Sequence, residues 1–176
     1  GETQCPRCSG RDKAELFAGE VRTIHDHLTL SGRKLWIWGD RLIDGKTTGI
    51  GMWSASLNNT YRAIDMIPKD VMICDWHYTL PEPTAVYFAM KGLDVVSCPY
   101  QASSVAVMQV QDMEKLRMNS SLELAQHFKG VVQTAWSGAG PFFDRYYGRV
   151  PDDSEKSAVK CFKALFAEIQ KTSDNK

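Results

Sequence analysis

At four points the chain sets a large aromatic beside a hydrogen-bonding side chain: Trp38 with Asp40, Trp76 with Asp75, His77 and Tyr78, Tyr100 with Gln101, and Trp136 with Ser137. The C–H faces of a sugar ring stack on indole or phenol, while its hydroxyls need donors and acceptors at the ring edge. A carbohydrate pocket is the chemistry these residue types suggest. A single aromatic of this kind is commonly a plug at the end of a strand. The same pairing at four strand ends weakens that explanation.

Other groupings are less complete. Asp75 and His77 would make half of a nucleophilic arrangement, but the chain has no Gly-x-Ser-x-Gly elbow, and a hydrogen-bonding pocket histidine is the better reading. Cys5-Pro6-Arg7-Cys8 has the spacing of half a zinc site or of a redox pair. No second CxxC follows, and His25 and His27, two apart on a helix, would point in different directions. Loop packing is expected ahead of metal, and metal ahead of redox chemistry. Gly49-Ile50-Gly51 lacks the third glycine and the preceding strand of a dinucleotide loop and reads as a turn. Asp152-Asp153 suits a helix N-terminus better than catalysis. Asn58-Asn59-Thr60 and Asn119-Ser120-Ser121 match glycosylation sequons, a pattern chance often supplies. No cofactor is called for.

The elements that must position the aromatics are legible in part. Asp12-Lys13-Ala14-Glu15 is a capping-box pattern that starts a helix, with Phe17, Val21, Ile24 and Leu28 on one face and Ser31-Gly32 as its stop. Leu35 to Trp38, Val71 to Cys74, Leu93 to Cys98 and Val131 to Ala135 read as strands. A short helix is expected around Ser54 to Ile64, another from Thr84 to Lys91, and one or two between Ser103 and Phe128, stopped by Gly130. Ala158, Phe162, Leu165, Phe166 and Ile169 form the stripe of a terminal helix, with a polar, frayed tail from Thr172. Strands alternating with helices imply an α/β fold with parallel strands joined by right-handed crossovers. Reactive groups in such folds collect at the carboxyl ends of the strands, where the aromatics fall.

The 176 residues suit one domain. With 21 basic and 21 acidic side chains the chain is formally neutral, so neither phosphate backbones nor anionic membranes attract it, and nucleic acid is not an expected partner. No apolar run approaches the length of a membrane span, and no basic-then-apolar leader opens the chain. Five scattered cysteines, an odd number, argue against a disulfide framework.

Cys5-Pro6-Arg7-Cys8 leading into the helix Lys13 to Ala18, then Leu35-Trp36-Ile37-Trp38-Gly39-Asp40, Cys74-Asp75-Trp76-His77-Tyr78, Cys98-Pro99-Tyr100-Gln101 and Ala135-Trp136, in that order, resembles the second half of the catalytic barrel of glycoside hydrolase family 20. These are the β-N-acetylhexosaminidases and their relatives, and the match runs through almost the whole chain. The resemblance implies a TIM (β/α)8 barrel of which residues 1–176 are a single partial domain, strands five to eight, preceded by the helix that follows strand four. In the family an Asp-Glu pair ends strand four. Its Glu is the general acid and base; its Asp orients the substrate's 2-acetamido group, whose carbonyl oxygen is the nucleophile, outside the two-carboxylate scheme.

This chain has no such pair, and Gly1-Glu2 stands where the segment after it would lie, so no catalytic residue is assigned here. By motif position the resemblance makes Trp38, Trp76 and Trp136 pocket tryptophans and Tyr100 the donor to the acetamido carbonyl. Ala102 and Gly138 stand where the family often has Asp and Glu, leaving Asp40, Asp75 and His77 as replacement contacts to sugar hydroxyls. The expected partners are an N-acetylhexosamine-containing glycan and either the missing N-terminal half of the barrel or a second copy, because the Leu35 and Val131 strands would be open edges. Two other readings stay open. One is a non-catalytic or degenerate sugar-binding half-barrel; the other is a small doubly wound α/β domain using Cys5 and Cys8 for redox or metal chemistry.

Overall fold

The computed structural model describes residues 5–51 and 53–174; Gly1-Glu2 lies outside the described residues. Helix α1 (Lys13–Thr29) begins where Asp12 accepts hydrogen bonds from the Ala14 and Glu15 amides and ends as Gly32, at φ 67°, turns the chain. Its buried face is narrower than the sequence suggests. Ala14, Ala18 and Val21 are buried, Phe17 and Leu28 pack beside them, and Ile24 stays exposed. Three small side chains let the helix lie close to the 60–65 turn, where Arg62 pairs with Asp12.

The sheet is parallel and four-stranded, in the order β1 (Trp36–Trp38), β2 (Met72–Asp75), β3 (Asp94–Ser97), β4 (Phe128–Val131). Helices α3 (Thr84–Met90), α4 (Ser103–Asn119) with the short α5 (Leu122–Ala125), α6 (Ala139–Tyr146) and α7 (Ala158–Asp174) flank it, and the one-turn α2 (Gly45–Thr48) sits in the loop after β1. The order never reverses, and Ala18 of α1, Phe88 of α3 and Met113 of α4 all pack on the face of the sheet that carries Ile73 and Val95. A doubly wound domain reverses its strand order at a switch point, and this sheet has no such reversal.

Three elements differ from their sequence expectation. The fourth strand starts at Phe128, not Val131, and Gly130 belongs to it instead of stopping a helix. Gly130 takes φ 122° where the register slips by one residue: Val95 pairs with Phe128 and Val96 with Gly130, leaving Lys129 as a bulge that glycine makes possible. The ladder then continues past Val131 through Val132 N–H to Ser97 and Thr134 N–H to Pro99. The helix expected around Ser54 to Ile64 is a 3-10 turn at Thr60–Asp65, held by the Ser56 hydroxyl, which lies 2.6 Å from Asn58 Oδ1 and 2.7 Å from the Thr60 hydroxyl. Helix α6 had no sequence expectation; its Phe142 and Tyr146 pack edge-on against Phe162 of α7.

Alternation along the strands separates two apolar layers. Ile37, Ile73, Val95 and Phe128 join Val21, Phe88 and Leu93 in the main core between sheet and helices. Met72, Cys74, Val96 and Cys98 line the other face with Trp76. Full burial of Phe88 and of Phe128 stabilises the fold by roughly 2–3 kcal/mol each. Behind β4, Ala106 and Val110 of α4 meet Cys161 and Leu165 of α7. The cap of α7 is Ser157, whose hydroxyl accepts from the Val159 and Lys160 amides; Asp152 orients that hydroxyl and does not cap the helix itself. No helix among the described residues is long and apolar enough to cross a membrane.

Candidate functional site

The strand ends open onto a cavity of about 390 Å³ lined by Trp38, Asp40, Trp76, Tyr78 and Trp136. Trp38 comes from the first edge strand and Trp136 from the segment after the opposite edge, yet their ring centroids are 5.7 Å apart at 41°. Trp76 and Tyr78 fill the space between the edges, with ring centroids 5.0 Å apart, and Tyr78 meets Tyr100 at 5.4 Å. Two of the three indoles, those of Trp76 and Trp136, are anchored by their N–H groups. Trp76 Nε1 donates to Asp40 Oδ1 at 3.2 Å and Trp136 Nε1 to the Tyr78 hydroxyl at 2.7 Å. With those two N–H groups engaged, Trp76 and Trp136 offer a ligand chiefly their flat faces.

Asp40 is held by its surroundings. Its Oδ2 pairs with Arg41 Nε at 3.1 Å, and the Thr60 hydroxyl donates to the Arg41 carbonyl, tying the end of β1 to the 60–65 turn. Gly39, just before Asp40, lets the end of β1 sit tightly on the core: a Cβ there would lie 2.8 Å from Phe88 Cζ and 3.0 Å from Ile73 Cγ2. The Tyr78 phenol titrates above its ordinary value of 10, chiefly because burial disfavours the phenolate, while hydrogen bonds with Thr134 and Trp136 act the other way. At neutral pH it keeps its proton. Beneath Trp76 lie the thiols of Cys74 and Cys98; the hydrogen bond with Cys74 and then burial push the Cys98 thiol well up, so it stays protonated.

Not every residue expected in the pocket lines it. Asp75 and His77 are buried on the helix side, away from the aromatics, because neighbours in an extended segment point in opposite directions. Asp75 Oδ2 accepts from the Thr84 hydroxyl at 2.7 Å, and His77 Nε2 lies 3.0 Å from Asp75 Oδ1 and 2.8 Å from Thr84 Oγ1. Since the Thr84 proton is committed to Asp75, the imidazole must donate from Nε2. Gln109 Nε2 closes the knot by donating to the His77 carbonyl at 2.9 Å. These groups brace the 75–78 segment and do not reach the cavity as replacement sugar contacts. Tyr100 touches Tyr78 but opens with Gln101 and Ser137 onto a neighbouring cleft of about 230 Å³.

Sequence reasoning missed Thr84, Gln109 and Thr134. A signal existed for Gln109, a polar residue within the buried stripe Val105, Ala106, Val110 and Met113 of α4. Cys5 and Cys8 form no disulfide; a hydrogen bond with Cys8 lowers the Cys5 thiol below its ordinary value. They precede α1, while His25, near the opposite end of that helix, is engaged with Asp26 and Asp70. No group of three or more potential metal ligands occurs among the described residues. No protein-family model matches the chain, and no curated protein matches it.

Proposed function

We propose that this chain is the sugar-binding side of a β-N-acetylhexosaminidase-like glycoside hydrolase of the family 20 type, forming strands five to eight of a (β/α)8 barrel. The observation that carries the reading is the meeting of Trp38 and Trp136, from opposite sheet edges, over a cavity walled by Trp76 and Tyr78. An aromatic box of this kind suits a task of positioning: to press the 2-acetamido group beneath the anomeric carbon and keep water out while its carbonyl oxygen attacks. The unreversed strand order supports the barrel, as does the second apolar sheet face under Trp76. Trp36 and Ile24, 48% and 42% exposed beside β1, are what a preceding strand and helix would cover.

Titrating the chain's tryptophan fluorescence with N-acetylglucosamine tests the pocket. A saturable response, weaker with glucose and lost in Trp136→Ala, is expected; an unsaturable response, or one unchanged in that variant, rejects the reading. A second reading, a pocket that binds without hydrolysing, is favoured by Ala102 and Gly138, which stand where the family often has the Asp and Glu that hold sugar hydroxyls. The 176 residues themselves contain no Asp-Glu dipeptide. Positioned acid catalysis contributes typically ~10²–10⁴-fold, so the chain alone should not release p-nitrophenol from an N-acetylhexosaminide. Joined to a preceding segment with an Asp-Glu pair at a strand end, the same pocket should turn over under the first reading and stay inert under the second. Sedimentation tests the open edges: self-association supports the half-barrel, and a compact, cooperatively melting monomer argues against it.

A further inference from the structure

A second cavity lies on the helix side of the sheet, between α3 and α4. It encloses about 330 Å³, its walls include Pro83, Val86, Met113 and Leu116, and Ser97 and Gln109 line it as well. Gln109 is 4% exposed, and its Oε1 is the one buried side-chain oxygen or nitrogen among the described residues with no hydrogen-bond partner. Its orientation is not arbitrary. The His77 carbonyl can only accept, so the atom 2.9 Å from it must be the Nε2 amide, which leaves Oε1 as the orphan. A buried carbonyl oxygen without a donor costs about 1–3 kcal/mol, a cost the fold carries beside an open apolar cleft.

We propose that this cleft is a binding site for a small, neutral, apolar-bodied molecule bearing a hydroxyl, such as a phenol or alcohol, whose O–H donates to Gln109 Oε1. The volume falls at the lower end of ordinary ligand pockets and fits a single ring. The apolar walls take the body of the ligand, and Ser97 offers a further hydroxyl. A carboxylate would set negative charge against the Gln109 carbonyl, in a cleft whose charged lining, Glu82, Asp112 and Lys115, is on balance acidic. The site stands independently of the sugar pocket.

Amide-correlation NMR of the full chain, titrated with phenol and with fluorobenzene, tests the proposal. Fluorobenzene keeps the ring and its size but has no donor. Saturable shifts at Val86, Ser97 and the Gln109 side-chain amide are expected with phenol, with fluorobenzene about five- to tenfold weaker, the worth of one hydrogen bond. Val86→Phe, which fills the cleft without touching the Gln109–His77 bond, should abolish them while the rest of the spectrum stays folded. Gln109→Met should equalise the two ligands. The proposal is overturned if phenol gives no saturable shift, if Val86→Phe leaves the shifts intact, or if the two ligands bind equally to the unaltered chain. A crystal structure from phenol-soaked crystals with only an ordered water on Oε1 would overturn it too.

Discussion

Asp75-Trp76-His77-Tyr78 is divided between two environments by the alternation of an extended chain. Trp76 and Tyr78 face the cavity at the strand ends; Asp75 and His77 face inward and are spent on Thr84 and on each other. One side of the segment offers ring faces to a ligand, and the other offers the protein a closed set of hydrogen bonds. Residues of similar chemical promise, adjacent in sequence, thus do different work. A polar pair at a strand end is not evidence of a site until its facing is known.

Breaking the inward side should produce the largest effect. Asp75→Ala strips acceptors from the His77 imidazole and the Thr84 hydroxyl in a fully buried setting, and we expect a loss of roughly 3 kcal/mol in urea denaturation. A loss under 1 kcal/mol would mean that the knot does not brace the segment. Gly39→Ala sits where the two regions join. Its new Cβ presses on Phe88 and Ile73, so about 2 kcal/mol of stability should go, together with weaker N-acetylglucosamine binding as Trp38 and Asp40 shift. An effect on stability alone would show that the rim tolerates movement of the β1 end.

Trp136→Ala sharpens the comparison from the other side. The ring is 61% exposed, so unfolding should change by less than about 1 kcal/mol, while sugar affinity falls at least about tenfold. Equal losses in both would mark Trp136 as packing. The smallest effect belongs to a surface pair remote from both regions. His25 is raised above 6.5 by the Asp26 carboxylate and then Asp70, and Asp70 is held below 3.8, chiefly by the hydrogen bond from His25. The histidine's contribution is complete below 6.5 and fades as pH rises through its folded value; the aspartate's is complete above 3.8 and fades as pH falls through its own. Tm measured against pH should therefore be slightly higher between those limits. That plateau should flatten in His25→Gln.

Much of the architecture was legible because its signals are local. The cap at Asp12, the stop at Gly32 and the apolar runs of β1, β2 and β3 depend on residues close in sequence. Phe128 to Val131 was not legible as a strand, because Gly130 reads as a helix stop until a neighbouring strand demands a bulge there. Helix α6 was missed because its Phe142 finds its partner, Phe162, only through the packing of α7. Among the site residues, Trp38, Asp40, Trp76, Tyr78 and Trp136 were recognisable from chemistry at strand ends.

By itself the sequence determined the alternation of strands and helices and the concentration of aromatics at the strand ends, since periodicity and turn chemistry are properties of short windows. Tertiary structure alone decided that the strands run in unreversed order, that Trp38 and Trp136 meet across the sheet, and that Asp75 and His77 turn inward. It also left Gln109 with an unanswered carbonyl beside an apolar cleft. Each of these depends on which distant segment lies opposite, and short-range pattern carries no record of that.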